Sequence, residues 1–291
     1  MKMLSTKRGI LRRLGTAYFK VAMRLSGTSP GDPIVIDPHR AIYLAIPRVA
    51  TKSVRAVIAD LLGIKTNVSM YAVTFPHVDK NRIRDEYPDY FTFAFVRDPW
   101  DRVASVYFGK VKPGKYVLYL PRLTMLPVRM TWVYWLLSKL GLDRVAIPFM
   151  RGPLITPDIS FDDFVALVAG TEDSDLDPHL RGQLSFLTDE RGRLIPDFVG
   201  RSEDMRASLE EVGRTLGVEI QQVPRLGATK GQKGRNYSRF YSERTWELVR
   251  RRFQEDIEAF GYDPCCRATR DGIAPPQASL QGQSDTESRL G

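Results

Sequence analysis

Two passages of this 291-residue chain share one layout, and together they constrain the fold more than any other feature. In "AIYLAIPRVATKSVRAVIADLLG", residues 41–63, an apolar run from Ile42 to Ile46 stops at Pro47 and Arg48. A short polar turn, Thr51-Lys52-Ser53, follows, and apolar positions return at helical spacing: Val54, Val57, Ile58, Leu61 and Leu62. In "FTFAFVRDPWDRVASVYF", residues 91–108, an aromatic and apolar run ends at Arg97, and Pro99 opens a helix. A continuous apolar run bounded by breakers reads as a strand buried on both faces, and the change to a 3.6-residue period reads as a helix. Strand, loop and helix repeated in this way predict an α/β fold.

The loops themselves carry chemistry. Basic side chains and hydroxyls stand at helix starts, where backbone amides and the helix dipole favour an anion. The first loop places Arg48, Val49, Ala50, Thr51, Lys52 and Ser53 there, but it lacks both glycines of a Walker A loop, so an ordinary NTPase reading is poor. In the second, Arg97 can grip a phosphate with two parallel hydrogen bonds and Ser105 can add a hydroxyl. The bland reading of Arg97-Asp98-Pro99 is a capped helix, and Asp98 and Asp101 can also hold neighbouring basic groups in place.

Composition narrows the partners. A formal net charge of +9 favours anionic ligands or surfaces. The two cysteines, Cys265 and Cys266, are adjacent and build neither a disulfide framework nor a zinc site, which suits a reducing, cytoplasmic setting. His39, His77 and His179 lack metal-ligand spacing, so no metal is expected.

Along the chain, residues 1–30 form a basic segment. On a helix, Ile10, Leu14, Ala17, Val21 and Leu25 would share a face, which suits equally a helix on an anionic membrane surface and one packed on the domain. One α/β domain is expected from 31 to 265. Within it, residues 114–150 are apolar, aromatic and broken by Pro121 and Pro127; Trp132, Trp135, Leu136 and Leu140 would share a helical face, either as core or as a lid over an acceptor. Further helices are expected from a Ser160 cap to Val168, from Glu203 to Leu216, and from Ser242 to Phe260. The polar, Pro/Gly/Ser-rich tail, 266–291, is expected to be disordered.

The pair "PRVATKSV" and "FVRDPWDRVASVYF" resembles the PAPS-dependent sulfotransferases, closest to the carbohydrate sulfotransferase branch. In that family a P-K-x-x-x-[ST]-S/T loop clasps the 5′-phosphosulfate, and a V-R-[DN]-P-x-x-R-x-x-S-x-[FY] segment binds the 3′-phosphate. "DPHLRGQLSFL" at 177–187 resembles the family's His-x-x-x-Gln segment. "DFVGRSEDM" at 197–205 resembles its strand-to-helix step, and "DIEAFGYD" its closing helix end. The resemblance covers roughly residues 40–263.

That resemblance implies a P-loop-like three-layer fold, with a central mainly parallel sheet flanked by helices. It also implies PAPS (3′-phosphoadenosine-5′-phosphosulfate) as co-substrate and a carbohydrate or glycolipid acceptor, with no nucleic acid; peripheral contact at the inner membrane face is an expectation from the basic N-terminal segment and the aromatic 114–150 stretch instead. Arg48 and Lys52 would serve the leaving phosphate, and Arg97 and Ser105 the 3′-phosphate. Lys233 and Arg235, in the basic loop "TKGQKGRNYSRFY", would close over the nucleotide and reach its 3′-phosphate, a solvated loop being the equal alternative. His77, between the two loops, would be the base; its ordinary pKa near 6.5 suits that task, and His179 is its competitor. One position departs from the family pattern: Arg48 stands where lysine is usual, and a planar fork is not a compact point donor. The alternative is therefore a catalytically degenerate relative that binds nucleotides or polyanions.

Overall fold

A computed structural model of the chain describes residues 32–64, 73–114, 116–119, 124–127, 154–155, 158–220, 224, 226 and 237–263. The basic N-terminal segment, the helical face at 132–140, Lys233, Arg235 and the tail lie outside the described residues.

The predicted α/β core is present. Strand β2 (Ala41–Leu44) is followed by helix α1 (Thr51–Leu61). After a short helix α2 (Ile83–Glu86) comes β3 (Phe91–Val96), and then α3 (Pro99–Val106). Ile42 pairs in parallel with Thr92, and Leu44 with Ala94. On the other flank of β3 lies β7 (Phe198–Arg201), also parallel, with Phe95 opposite Gly200. A strand not foreseen from the sequence, β1 (Ile34–Ile36), adds to β2 antiparallel and gives the order β1-β2-β3-β7.

The central strand β3 is covered on both faces, as a parallel strand between helical layers must be, so alternation of polar and apolar residues would have been the wrong signal to seek. Phe93, Ala94, Phe95 and Val96 are all buried. Tyr43 packs on Phe93 with ring centroids 5.5 Å apart. At Gly200 a side chain has no room: a Cβ would come within 2.7 Å of Ser208 and 2.8 Å of Phe95. The glycine lets the helix after β7, α6 (Met205–Leu216), lie close against the strand.

The remaining helices refine the expectations. Ser160 caps α4 (Phe161–Ala169), accepting from the Asp163 amide at 3.1 Å. α5 (Leu184–Leu187) is a single turn. The long C-terminal helix expected from 242 to 260 is two, α7 (Glu243–Arg252) and α8 (Gln254–Ala259), parted at Phe253 with φ −116° and ψ 28°. The kink buries Phe253 and points the Asp256 carboxylate at the amides of Gln183 and Leu184. Trp100, at the start of α3, stacks on Trp246 of α7 at 4.4 Å and donates its indole N–H to the Trp246 carbonyl. The apolar passage after α3 holds a small antiparallel sheet, β4 (Tyr116–Tyr119) between β5 (Thr124–Pro127) and β6 (Leu154–Ile155), where the sequence suggested no strands. No helix among the described residues is long and apolar enough to cross a membrane.

Candidate active site

Both loops emerge at the carboxyl ends of adjacent parallel strands, where open α/β sheets place their ligand sites. The first takes a left-handed backbone without glycine: Arg48 has φ 72° and Ala50 φ 44°. Ala50 is followed directly by the right-handed start of α1, and this left–right alternation turns successive amides toward one concavity. Val49 N–H bonds back to Ile46 O, and the Thr51 hydroxyl donates to the same carbonyl at 2.8 Å. Thr51, expected on a phosphate, thus holds the turn together. Ser53 Oγ accepts from the Leu226 amide at 3.1 Å, which brings the approach to the 229–241 loop beside α1. Lys52 is half-buried in the first helical turn.

The Arg48 side chain crosses to the second loop. Its Nε donates to Ser105 Oγ at 3.3 Å and its Nη2 to the Ser105 carbonyl at 2.5 Å. Arg97 reaches the other way, its Nη1 donating to the Arg48 carbonyl at 3.4 Å. The fold therefore joins Arg48 of the first loop to Arg97 and Ser105 of the second segment.

The second loop is held from behind by polar side chains distant in sequence. Gln183, fully buried, accepts from the Arg97 amide at 2.9 Å and donates to the Arg97 carbonyl at 2.7 Å. Glu203 accepts from the Asp98 amide at 2.7 Å. Asp98 caps α3 by accepting from Asp101 N–H at 3.0 Å, so the capping expectation holds for its side chain. Partial desolvation raises the Glu203 carboxyl above its usual range, although the residue keeps an exposed edge, and burial raises that of Asp256.

Beneath both loops lies Arg102, also buried. Its Nε donates to Pro47 O at 3.2 Å, its Nη1 to Arg181 O at 2.5 Å and its Nη2 to Pro178 O at 3.3 Å. One guanidinium thus ties the first loop to the turn that carries His179. Burial lowers its pKa to about 10, with Arg97 and Arg48 adding to the effect against Asp256 and Asp173. It stays charged at neutral pH. The charges of Arg97 and Arg48 lie close enough to disfavour the Arg102 proton, and an anion bound among them offsets that repulsion.

The two histidines are placed differently. His77 forms a bridge with Ile34, and its Nδ1 lies 3.1 Å from the Pro33 carbonyl. It sits beside the edge strand β1, with no hydrogen bond to Arg48, Arg97 or Ser105. His179 contacts Asp177 and Lys110 and lies close enough to Arg48 for that charge to disfavour its protonation.

Arg102, Lys110, Asp177, Gln183 and Glu203 carry roles the sequence did not assign. Arg102 and Gln183 were within reach, since both stand inside the matching motifs. Lys110 was not: α3 runs on as a π-helical turn, Tyr107–Val111, which shifts its face away from a 3.6-residue count. Among the described residues no group of three or more His, Cys, Asp or Glu side chains is arranged to hold a metal.

Comparison with known proteins agrees with this geometry. Residues 32–263 match the model of the sulfotransferase family. Carbohydrate sulfotransferase 14 of Mus musculus is 32% identical over 90 residues, 27% of this chain and 24% of the mouse protein. The Danio rerio protein of the same name is 31% identical over 90 residues, with the same coverage. The matched stretch thus spans about a quarter of those relatives. No solved structure gives a significant match. The chain, matched over most of its length, belongs to the sulfotransferase family.

Proposed function

We propose that the protein transfers a sulfuryl group from PAPS to a hydroxyl of a carbohydrate or glycolipid acceptor. The observation that carries this reading is the convergence of Arg48, Arg97 and buried Arg102 on two interlocked loops at the carboxyl ends of β2 and β3. A nucleotide with phosphates at two separate positions supplies the paired anions such a double site asks for. Arg97 holds the 3′-phosphate, and the Ser105 hydroxyl, which donates to the Arg102 carbonyl at 2.8 Å in the free protein, turns to join it. Arg48, Lys52 and the amides around Ala50 receive the 5′-phosphate as it leaves.

Sulfuryl transfer asks for positioning and charge neutralisation more than for covalent help. Arg48 neutralises charge on the departing phosphate, and its bonds to Ser105 fix it before substrate arrives. The Arg48 fork has a second point cation nearby in Lys52, so the usual lysine's task is divided between them. Proton removal from the acceptor falls to a histidine. His77 qualifies because a proton on Nδ1, donated to Pro33, leaves Nε2 basic. His179 qualifies by its place beside the loops.

The test is incubation with sulfur-35-labelled PAPS and a panel of unsulfated oligosaccharides and glycolipids. Label moving to an acceptor, with one adenosine 3′,5′-bisphosphate formed per sulfated product, is the expected result. No transfer to any acceptor, together with no binding of the bisphosphate, would contradict it.

A further inference from the structure

Next to the phosphate loops lies a three-residue constellation. His179 Nδ1 is 2.6 Å from Asp177 Oδ1, and Nε2 is 2.8 Å from Lys110 Nζ. The His179 backbone N–H also donates to Asp177 Oδ1, at 3.0 Å, which fixes the carboxylate against the turn. A lysine ammonium has donors and no lone pair, so Nε2 is the accepting nitrogen and Nδ1 carries the proton given to Asp177. The imidazole is therefore neutral, in one tautomer, with its basic nitrogen turned away from the orienting carboxylate.

Its position follows from the same residues that build the site. Arg102 binds Pro178 O and Arg181 O on either side of His179, while its Nε binds Pro47 O next to Arg48. Lys110 stands in the π-turn that continues α3, beyond Ser105, where Arg48 is seated. The His179 side chain remains 32% exposed, so its ring is within reach of a hydroxyl from solvent. The charged groups facing it are Asp177 from its own turn, Lys110 from the π-turn and Arg48 from the first loop. Burial, Lys110 and Arg48 hold the imidazole below its ordinary range, and Asp177 opposes them.

We infer that His179 is the general base for the acceptor hydroxyl, oriented by Asp177, with Lys110 occupying Nε2 until the acceptor displaces it. The inference rests on the sulfuryl-transfer reading above. As the acceptor oxygen forms its bond to sulfur, its proton passes to His179 Nε2. The bond from sulfur to the bridging oxygen breaks, and its electron pair stays with the 5′-phosphate beside Arg48. Lys110 keeps its own proton throughout. Among the described residues His77 bonds instead to the Pro33 carbonyl and bridges Ile34 of the edge strand, on the far side of β2 from Arg97.

The chain has three histidines, so the full-length protein gives three imidazole proton titrations by NMR, assigned with single His→Gln variants. His179 is expected to be neutral at pH 7 and to titrate below about 6.5. Lys110→Met should raise its midpoint, and Asp177→Asn should lower it. Transfer from PAPS to water, the smallest hydroxyl acceptor, and to oligosaccharide is followed in parallel. His179→Gln should lose roughly 10²- to 10⁴-fold in kcat, while affinity for adenosine 3′,5′-bisphosphate stays within about twofold. A His179 protonated at pH 7, a midpoint indifferent to both neighbours, or turnover retained by His179→Gln but lost in His77→Gln would each overturn the assignment. A wild-type protein that ignores the bisphosphate would instead defeat the sulfuryl-transfer reading, whatever the titrations show.

Discussion

The two phosphate loops solve one problem by different means. The loop at Arg97 is clamped by side chains distant in sequence: Gln183 on both polar groups of the Arg97 backbone, Glu203 on the Asp98 amide, and the Trp100–Trp246 stack behind them. The loop at Arg48 takes its shape mainly from its own chain, with two residues of positive φ, the Thr51 hydroxyl on Ile46 O and the Val49 amide on the same carbonyl, while Arg102 and Arg97 add one bond each to its Pro47 and Arg48 carbonyls. A clamped loop depends on the identity of many side chains. A loop held by local backbone conformation tolerates Ala50 and Arg48 where glycine and lysine would be expected. Precision is invested in the anchor, and latitude is left at the transfer end.

Breaking the clamp should have the largest effect. Gln183→Leu leaves the Arg97 N–H and C=O without their buried partner, and each stranded group costs about 1–3 kcal/mol. The expected loss is about 2–4 kcal/mol in denaturant unfolding, with weakened bisphosphate binding although Gln183 is placed on no ligand. A loss under about 0.5 kcal/mol would show that the loop holds itself.

Arg48→Lys probes the other loop. It keeps the charge and gives up the two-point contact with Ser105. Affinity for the bisphosphate should fall about tenfold, or about 1.4 kcal/mol, with little change in unfolding. Equal affinity would mean that Arg48 acts as a point charge alone.

Glu203→Gln keeps an acceptor for the Asp98 amide and removes an ionisable acid from behind the loop. The folded pKa of Glu203 is raised above 4.5, so its stabilising contribution is complete below that value and is lost as pH rises through the folded value. Asp256 acts with the same sign. The variant's stability should therefore fall less steeply as pH rises from about 4.5 to neutrality, with a residual slope from Asp256; thermal unfolding across this range checks it. An unchanged slope would remove Glu203 from the account.

The smallest effect is expected at Ala50→Gly. A left-handed residue with a Cβ costs about 1–2 kcal/mol, and glycine's extra freedom in the unfolded chain returns roughly 0.5–1 kcal/mol of that. Net stabilisation of about 0.5 kcal/mol should appear as a small rise in Tm. A fall in Tm would contradict the left-handed geometry.

This contrast also explains what was legible in sequence. Buried strands and helix starts write themselves into local runs, so β2, β3, α1, α3 and the Ser160 cap were readable. Arg97 and Ser105 were readable because their spacing is fixed along one strand–helix unit. Gln183 on Arg97 joins residues 86 positions apart, and no local period records it. Lys110 was hidden by the π-turn, and β1 was too short to announce itself. The break at Phe253 follows from where Asp256 must point, a requirement set by Gln183 and Leu184 and not by the helix's own pattern.

The most direct measurement is calorimetric titration with adenosine 3′,5′-bisphosphate, alongside ATP and AMP, of the wild type and Arg97→Ala. The account predicts preferential binding of the bisphosphate, weakened roughly 10- to 100-fold in Arg97→Ala as one charge-assisted contact worth about 1.5–3 kcal/mol is removed. Equal binding of all three nucleotides, or a bisphosphate affinity indifferent to Arg97, would contradict the claim that these two loops form one double-phosphate site.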